Sequence, residues 1–120
     1  MRKILTFAAV VEIGAGIALM IAPAIVVALL VRAEISVLGM LLGRCLGIAL
    51  LALGLACWPE QQRAERSSAA FRAMFTYNGL IALFFGYVGA VVHLGGPLLW
   101  PTVALHGVVA LLLVWVWRDD

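Results

Sequence analysis

Three ionisable side chains lie inside long apolar stretches of this 120-residue chain: Glu12 in the first stretch, Arg44 in the second and His106 in the fourth. A charge at the centre of a membrane helix costs about 2.5–3.5 kcal/mol on insertion scales, so such residues face the bundle interior and usually have a partner or a function. A carboxyl group in that position can hold a proton or a cation. A guanidinium can bind a carboxylate bidentately and still donate to a third group, for which His106, Asn78 and Tyr77 are candidates.

The depths of these residues predict that they meet. Glu12 lies about 12 Å inside its stretch, and Arg44 and His106 lie about 17 Å from the same membrane surface. Because two long side chains can span the difference, we predict a Glu12–Arg44 ion pair with His106 near the same level. Two interpretations stay open: a satisfied pair that sets helix register, or a site for a proton, a cation or the headgroup of a quinone or lipid.

The composition is that of an integral membrane protein. Hydrophobic residues make up 66% of the chain, charged residues 12%, and the mean hydropathy is +1.17, whereas soluble proteins carry about 25% charged residues. Four apolar runs, at about 4–31, 35–58, 73–94 and 98–117, can each cross a hydrocarbon core of about 30 Å. Since lipid cannot satisfy backbone polar groups and no strand alternation is present, we predict a single all-α domain of four transmembrane helices.

The links between the runs predict how the helices are arranged. Residues 32–34 and 95–97 are short links that favour antiparallel neighbours, and hence an up-down-up-down bundle, while 59–72 is a long polar loop. All but one of the Lys and Arg residues outside the apolar runs lie on the side of this loop and the termini. This predicts a multi-pass protein of the bacterial inner membrane with both termini cytoplasmic and the first helix retained. No basic stripe supports nucleic-acid binding.

Small residues form candidate packing stripes. The second run carries glycines at intervals of four and seven, namely Gly39, Gly43, Gly47 and Gly54. This doubled GxxxG pattern lets another helix approach closely, either within the monomer or across a homo-oligomer. In the third run Asn78 heads a similar stripe that includes Gly86, and we expect its amide to bond to another helix.

The chain carries no recognisable catalytic motif. The chain has no nucleophile and base at a readable spacing, no phosphate loop and no metal-ligand spacing. We therefore predict a non-enzymatic protein without metal or cofactor.

Two resemblances accompany this interpretation. Segment 9–14, with the sequence AVVEIG, resembles the first helix of small multidrug resistance transporters, which implies that Glu12 binds protons and cationic drugs in an antiparallel dimer. The layout of the chain is similar to that of the DoxX-like group of small bacterial membrane proteins. The features that carry this similarity are Glu12 ahead of Pro23, Arg44 in the second helix, and segment 100–106 at the start of the last helix. That similarity implies a four-helix bundle that serves another membrane system.

The functional prediction is an accessory or assembly subunit of a membrane complex or homo-oligomer. Its expected partners are the lipid bilayer and another membrane protein or a second copy. The alternatives are a small proton-coupled transporter using Glu12, and a bundle that binds a quinone, lipid or cofactor.

Overall fold

The computed structural model describes residues 1–58 and 68–119. Its helices are α1 (Arg2–Ile21), α2 (Pro23–Val31), α3 (Val37–Ala56), α4 (Ala69–Ala90) and α5 (Leu99–Asp119). The predicted all-α fold is confirmed, and no strand occurs in the described parts of the chain. Helices α1, α3, α4 and α5 are long and apolar enough to cross a membrane. Of the predicted loop 59–72, residues 59–67 lie outside the described residues, and the last four residues are already helical in α4.

The first apolar run is two helices rather than one continuous helix. It breaks at Ala22, whose backbone angles (φ −139°, ψ 63°) lie outside the helical region, and α2 restarts with Pro23 in its first turn. Proline has no N–H to donate to the preceding turn, and it disfavours helical angles in the residue before it. The helix therefore ends and restarts at this point.

Serine side chains cap two of the long helices. Ser36 accepts a hydrogen bond from the Gly39 N–H at 3.1 Å before α3, and Ser68 accepts one from the Phe71 N–H at 3.1 Å before α4. These side chains satisfy N–H groups that the first turn of a helix leaves without partners. They set the starting points of α3 and α4 a few residues from the predicted ends of the apolar runs.

Helices α1 and α3 run antiparallel with their backbones in close contact. A Cβ atom on Gly16 would lie 2.6 Å from the Gly47 carbonyl oxygen, and one on Gly54 would lie 2.8 Å from the Ala9 carbonyl oxygen. A side chain at these glycines would force the two backbones apart, and their close approach brings dispersion contact between the helices. We call α1 and α3 the first helix pair.

The other predicted packing glycines lie elsewhere. A Cβ on Gly43 would meet Pro23 at 3.0 Å, and one on Gly39 would meet only its own N-terminal turn. Around Gly86 nothing lies within 4 Å of such an atom. Gly86 is turned about 80° around α4 from Asn78, so it does not lie on the face of α4 that packs against the bundle.

Helices α4 and α5 form the second helix pair, also antiparallel. Gly89 on α4 packs against Leu99 and Trp100 at the start of α5. The link between these helices is attached to the end of α2, because the Gly96 and Leu98 N–H groups donate to carbonyl groups of Leu30 and Leu29. Together the four long helices form the up-down-up-down bundle.

Contacts within each helix pair are dense, and those between the pairs are sparser and are made mainly by α1. Helix α2, which belongs to neither pair, also contacts α5. The core between the pairs contains Leu5, Met74 and Leu113, which are at most 1% exposed. Large apolar side chains elsewhere face outward, as expected for a surface that lipid covers. The contact between the two pairs is where the buried polar residues lie.

Candidate functional site

Helix α1 presents two neighbouring stripes to the rest of the molecule. Ala9, Ile13 and Gly16 contact α3. Leu5 and Glu12 are buried on a stripe turned about 55° from the first. The second stripe faces α4 and α5, so Glu12 belongs to the contact between the helix pairs.

The carboxyl group of Glu12 is enclosed but not satisfied. Glu12 is 1% exposed, and neither carboxyl oxygen has a hydrogen-bond partner among the described residues. Its nearest oppositely chargeable group is the His106 ring on α5, with 3.9 Å between Oε1 and Nδ1. Buried polar atoms are almost always hydrogen-bonded, so an unsatisfied carboxyl group in the interior requires an explanation.

His106 is oriented by a short chain of hydrogen bonds. The Asn78 side-chain Nδ2 donates to the Met74 carbonyl oxygen at 2.8 Å, which directs the amide oxygen away from that carbonyl. The amide oxygen then lies 2.7 Å from His106 Nδ1. Because an amide oxygen only accepts, Nδ1 must carry the hydrogen of this bond, and in a neutral ring Nε2 is then the acceptor.

Tyr77 completes the cluster from α4. Its ring meets the His106 ring edge to face, with centroids 5.8 Å apart and planes at 81°. Its hydroxyl is close enough to the Glu12 carboxyl to interact with it, although the two do not meet hydrogen-bond geometry. Three helices thus contribute to one buried site, which we call the Glu12–His106 site.

The predicted ion pair between Glu12 and Arg44 does not form in the described parts of the structure. Arg44 is exposed on α3, and among the described residues Glu12 has no cationic group other than His106 within salt-bridge distance. The two residues lie at similar depths but on different faces, because α3 turns its glycine face to one stripe of α1 while Glu12 lies on the other stripe. Depth alone could not distinguish the faces.

Charge balance defines what the site can do. An ionised carboxylate buried alone is costly, whereas a neutral acid beside neutral imidazole, or a carboxylate beside imidazolium, gives a site with no net charge. Each of these two states holds one proton more than an ionised carboxylate beside a neutral imidazole. A cation that bound the carboxylate would displace that proton.

The structure gives no support for a metal centre or a covalent catalyst at this position. Within residues 1–58 and 68–119, no group of three His, Cys, Asp or Glu side chains is arranged to hold a metal ion. The two cysteines in that part of the chain form no disulfide: Cys45 is exposed and Cys57 is buried.

Sequence reasoning found Glu12, His106, Asn78 and Tyr77, and the structure brings these four together. It missed the Met74 carbonyl that orients Asn78. The only available signal was that Met74 precedes Asn78 by one helical turn, a spacing at which an amide can reach back to a backbone carbonyl.

Comparison of the chain with family models, with curated proteins and with solved structures gives no significant match.

Proposed function

We propose that this chain is a small proton-coupled transporter in which Glu12, with His106, holds the transported proton. The observation that carries the proposal is the Glu12 carboxyl group, which is 1% exposed and has no hydrogen-bond partner among the described residues. A carboxylate with a purely structural role would have its oxygens satisfied, because an unsatisfied buried charge destabilises the fold. An ionisable residue inside a membrane bundle without a fixed partner favours a role in proton or ion transfer.

The position of the site between the helix pairs supports the same function. Glu12 belongs to the first pair, whereas His106, Asn78 and Tyr77 belong to the second. Membrane transporters commonly bind their substrate and coupling ion between structural units that rock against each other. A small movement of one pair would alter the surroundings of the carboxyl group without breaking contacts inside either pair.

The substrate class follows from the chemistry of the site. A carboxylate in an apolar enclosure with an aromatic ring nearby suits an organic cation, which gains from both the charge and the ring face. Proton and cation would then compete for Glu12, which is the simplest coupling of one flux to the other.

The test uses Glu12→Gln, with Glu34→Gln as the matched control, because Glu34 is an exposed acid in the link before α3. A panel of organic cations is added to purified protein in weakly buffered detergent, and proton release is followed with an indicator dye. We expect release from the wild type and from Glu34→Gln, and none from Glu12→Gln. Uptake into liposomes driven by a pH gradient should show the same pattern.

Helix content and unfolding of Glu12→Gln are measured in parallel, so that loss of release is separated from loss of fold. Equal release from Glu12→Gln and the wild type, or the absence of release across the panel, would overturn the proposal.

A second candidate function is that of an accessory or assembly subunit in the bacterial inner membrane. It is favoured by Arg44, an exposed cation within the apolar helix α3. In a complex, this guanidinium would bind a carboxylate or a helix C-terminus of another membrane protein or of a second copy.

This second candidate is tested by copurification from native membranes. Arg44→Gln should lose a specific partner or shift the oligomeric state, while Arg32→Gln, which changes an exposed arginine in the link after α2, should retain it. If both variants behave like the wild type, Arg44 does not mark an assembly surface.

A further inference from the structure

An apolar groove of about 560 Å³ opens on the outside of the bundle between α1 and α5. Phe7 of α1 and Leu105, Val108 and Leu112 of α5 are among its walls, and Lys3 in the first turn of α1 lies at one end. Among residues 1–58 and 68–119, no acidic side chain lines it. The groove is separate from the Glu12–His106 site, and the proposed function makes no use of it.

The length of the groove matches one leaflet of a bilayer. Its α5 wall extends from Ala104 to Leu112, which is about 12 Å along the helix axis. Half of a hydrocarbon core is about 15 Å thick. A chain that entered beside Lys3 and followed this wall as far as Ala104 would end about 5 Å beyond the middle of the membrane.

The walls favour a flexible chain over another helix. Helices approach each other closely in membranes where small residues line the contact, as Gly16 and Gly47 do between α1 and α3. Here Phe7 and Val108 are large side chains that are more than half exposed. They leave a channel between side chains rather than a flat face for a helix.

The charge at the end of the groove favours an anionic headgroup. The Lys3 stem lines the groove while its ammonium group can reach the headgroup level, as lysines at helix ends commonly do. Arg2, the neighbouring residue in the chain, is also exposed and adds a second positive charge at this end of α1. Basic residues next to a membrane attract anionic lipids and serve as point charges for phosphate.

We propose that this groove binds one acyl chain of an anionic phospholipid from the leaflet at the N-terminus of α1, with the phosphate bound by Lys3. The bound lipid would fill the space between α1 and α5, where the two helix pairs have few contacts of their own.

The experiment counts retained lipids by native mass spectrometry after reconstitution into vesicles of equal parts phosphatidylglycerol and phosphatidylcholine. We expect the wild type to retain one lipid, predominantly phosphatidylglycerol. Val108→Trp fills the groove and should abolish retention. Leu111→Trp, on the same helix at a 71% exposed position outside the groove, should keep it.

The headgroup is tested separately from the chain. Lys3→Gln should lower the preference for phosphatidylglycerol about fivefold, whereas Arg72→Gln, which removes an exposed cation in the first turn of α4, should leave the preference unchanged.

Three results would overturn the proposal: no retained lipid in the wild type, retention by Val108→Trp equal to that of the wild type, or a headgroup preference that Lys3→Gln does not change. Conversion of a dimer to a monomer by Val108→Trp would also overturn it, because the groove would then be a contact between copies of the chain. Thermal unfolding of each variant separates these results from misfolding.

Discussion

The two stripes of α1 make contacts of opposite kinds. Toward α3, glycines bring backbone against backbone. Toward α4 and α5, the same helix buries Glu12 beside His106 with neither carboxyl oxygen hydrogen-bonded among the described residues. One side of α1 is closely packed, and the other contains a polar group that lacks a partner.

This difference separates stability from function. In lipid the hydrophobic effect does not hold helices together, so a membrane protein depends on close van der Waals contact between its helices for stability. An unsatisfied carboxyl group does the reverse, since its desolvation is not compensated. We infer that the contact between α1 and α3 keeps the first helix pair intact while the Glu12–His106 site changes its protonation state.

The largest effect is expected where a side chain is forced between α1 and α3. A Cβ on Gly47 would lie 2.7 Å from the Gly16 carbonyl oxygen and 2.9 Å from the Met20 nitrogen. Gly47→Ala should therefore lower the free energy of unfolding by about 2–3 kcal/mol, despite the better helix propensity of alanine. The measurement is unfolding in mixed detergent. Gly79→Ala, with nothing within 4 Å of its Cβ, should not be destabilised, and equal losses in both variants would contradict the close contact.

A smaller effect is expected when the orientation of His106 is removed. Asn78→Leu deletes the oxygen that lies 2.7 Å from His106 Nδ1, and it should cost about 1–2 kcal/mol in unfolding. Nitrogen NMR of the ring should find the proton of the neutral wild-type imidazole on Nδ1, and a mixture of tautomers in the variant. An unchanged tautomer in Asn78→Leu would show that another group orients the ring.

Replacement of the carboxyl group itself should cost less. Glu12→Gln removes a charge without removing a hydrogen bond seen in the described structure, so the change in unfolding free energy should stay below about 1 kcal/mol. Loss of one partner of a satisfied buried ion pair would cost about 3–5 kcal/mol. A loss of that size would mean that Glu12 has a structural partner.

The smallest effect is expected at Arg44. Because this side chain is exposed and does not reach Glu12, Arg44→Gln in the isolated chain should change the unfolding free energy by no more than about 0.5 kcal/mol. The pH dependence of stability should match that of the wild type. A large loss of unfolding free energy would indicate that Arg44 does pair with Glu12, as their depths predict.

Features that depend on the order of residues along one helix could be predicted from the sequence. The four long helices and the burial of Glu12, Asn78 and His106 follow from hydropathy and from the cost of placing a polar group in lipid. Depth places Glu12, Arg44 and His106 at similar levels, but it does not show that His106 rather than Arg44 meets Glu12.

Features that depend on how one helix is rotated against another could not be predicted. Arg44 and Gly86 satisfy the spacing rules, yet Arg44 is exposed and Gly86 contacts no neighbouring helix. The rotation of α3 is set by Gly47 and Gly54 against α1, a contact between segments far apart in the chain. The groove beside Lys3 depends in the same way on the spacing of α1 and α5. From the sequence, the charge of Lys3 therefore indicates only the orientation of the protein in the membrane.

The most direct measurement is infrared difference spectroscopy of the protein in lipid between about pH 5 and pH 8, comparing the wild type with Glu12→Gln. If Glu12 exchanges a proton within the bundle, the wild type will show a carboxyl band that changes with pH, and that band will be missing from Glu12→Gln and retained in Glu34→Gln. A band that persists in Glu12→Gln, or a Glu12 signal that does not change across this range, would contradict a proton site at Glu12 and His106.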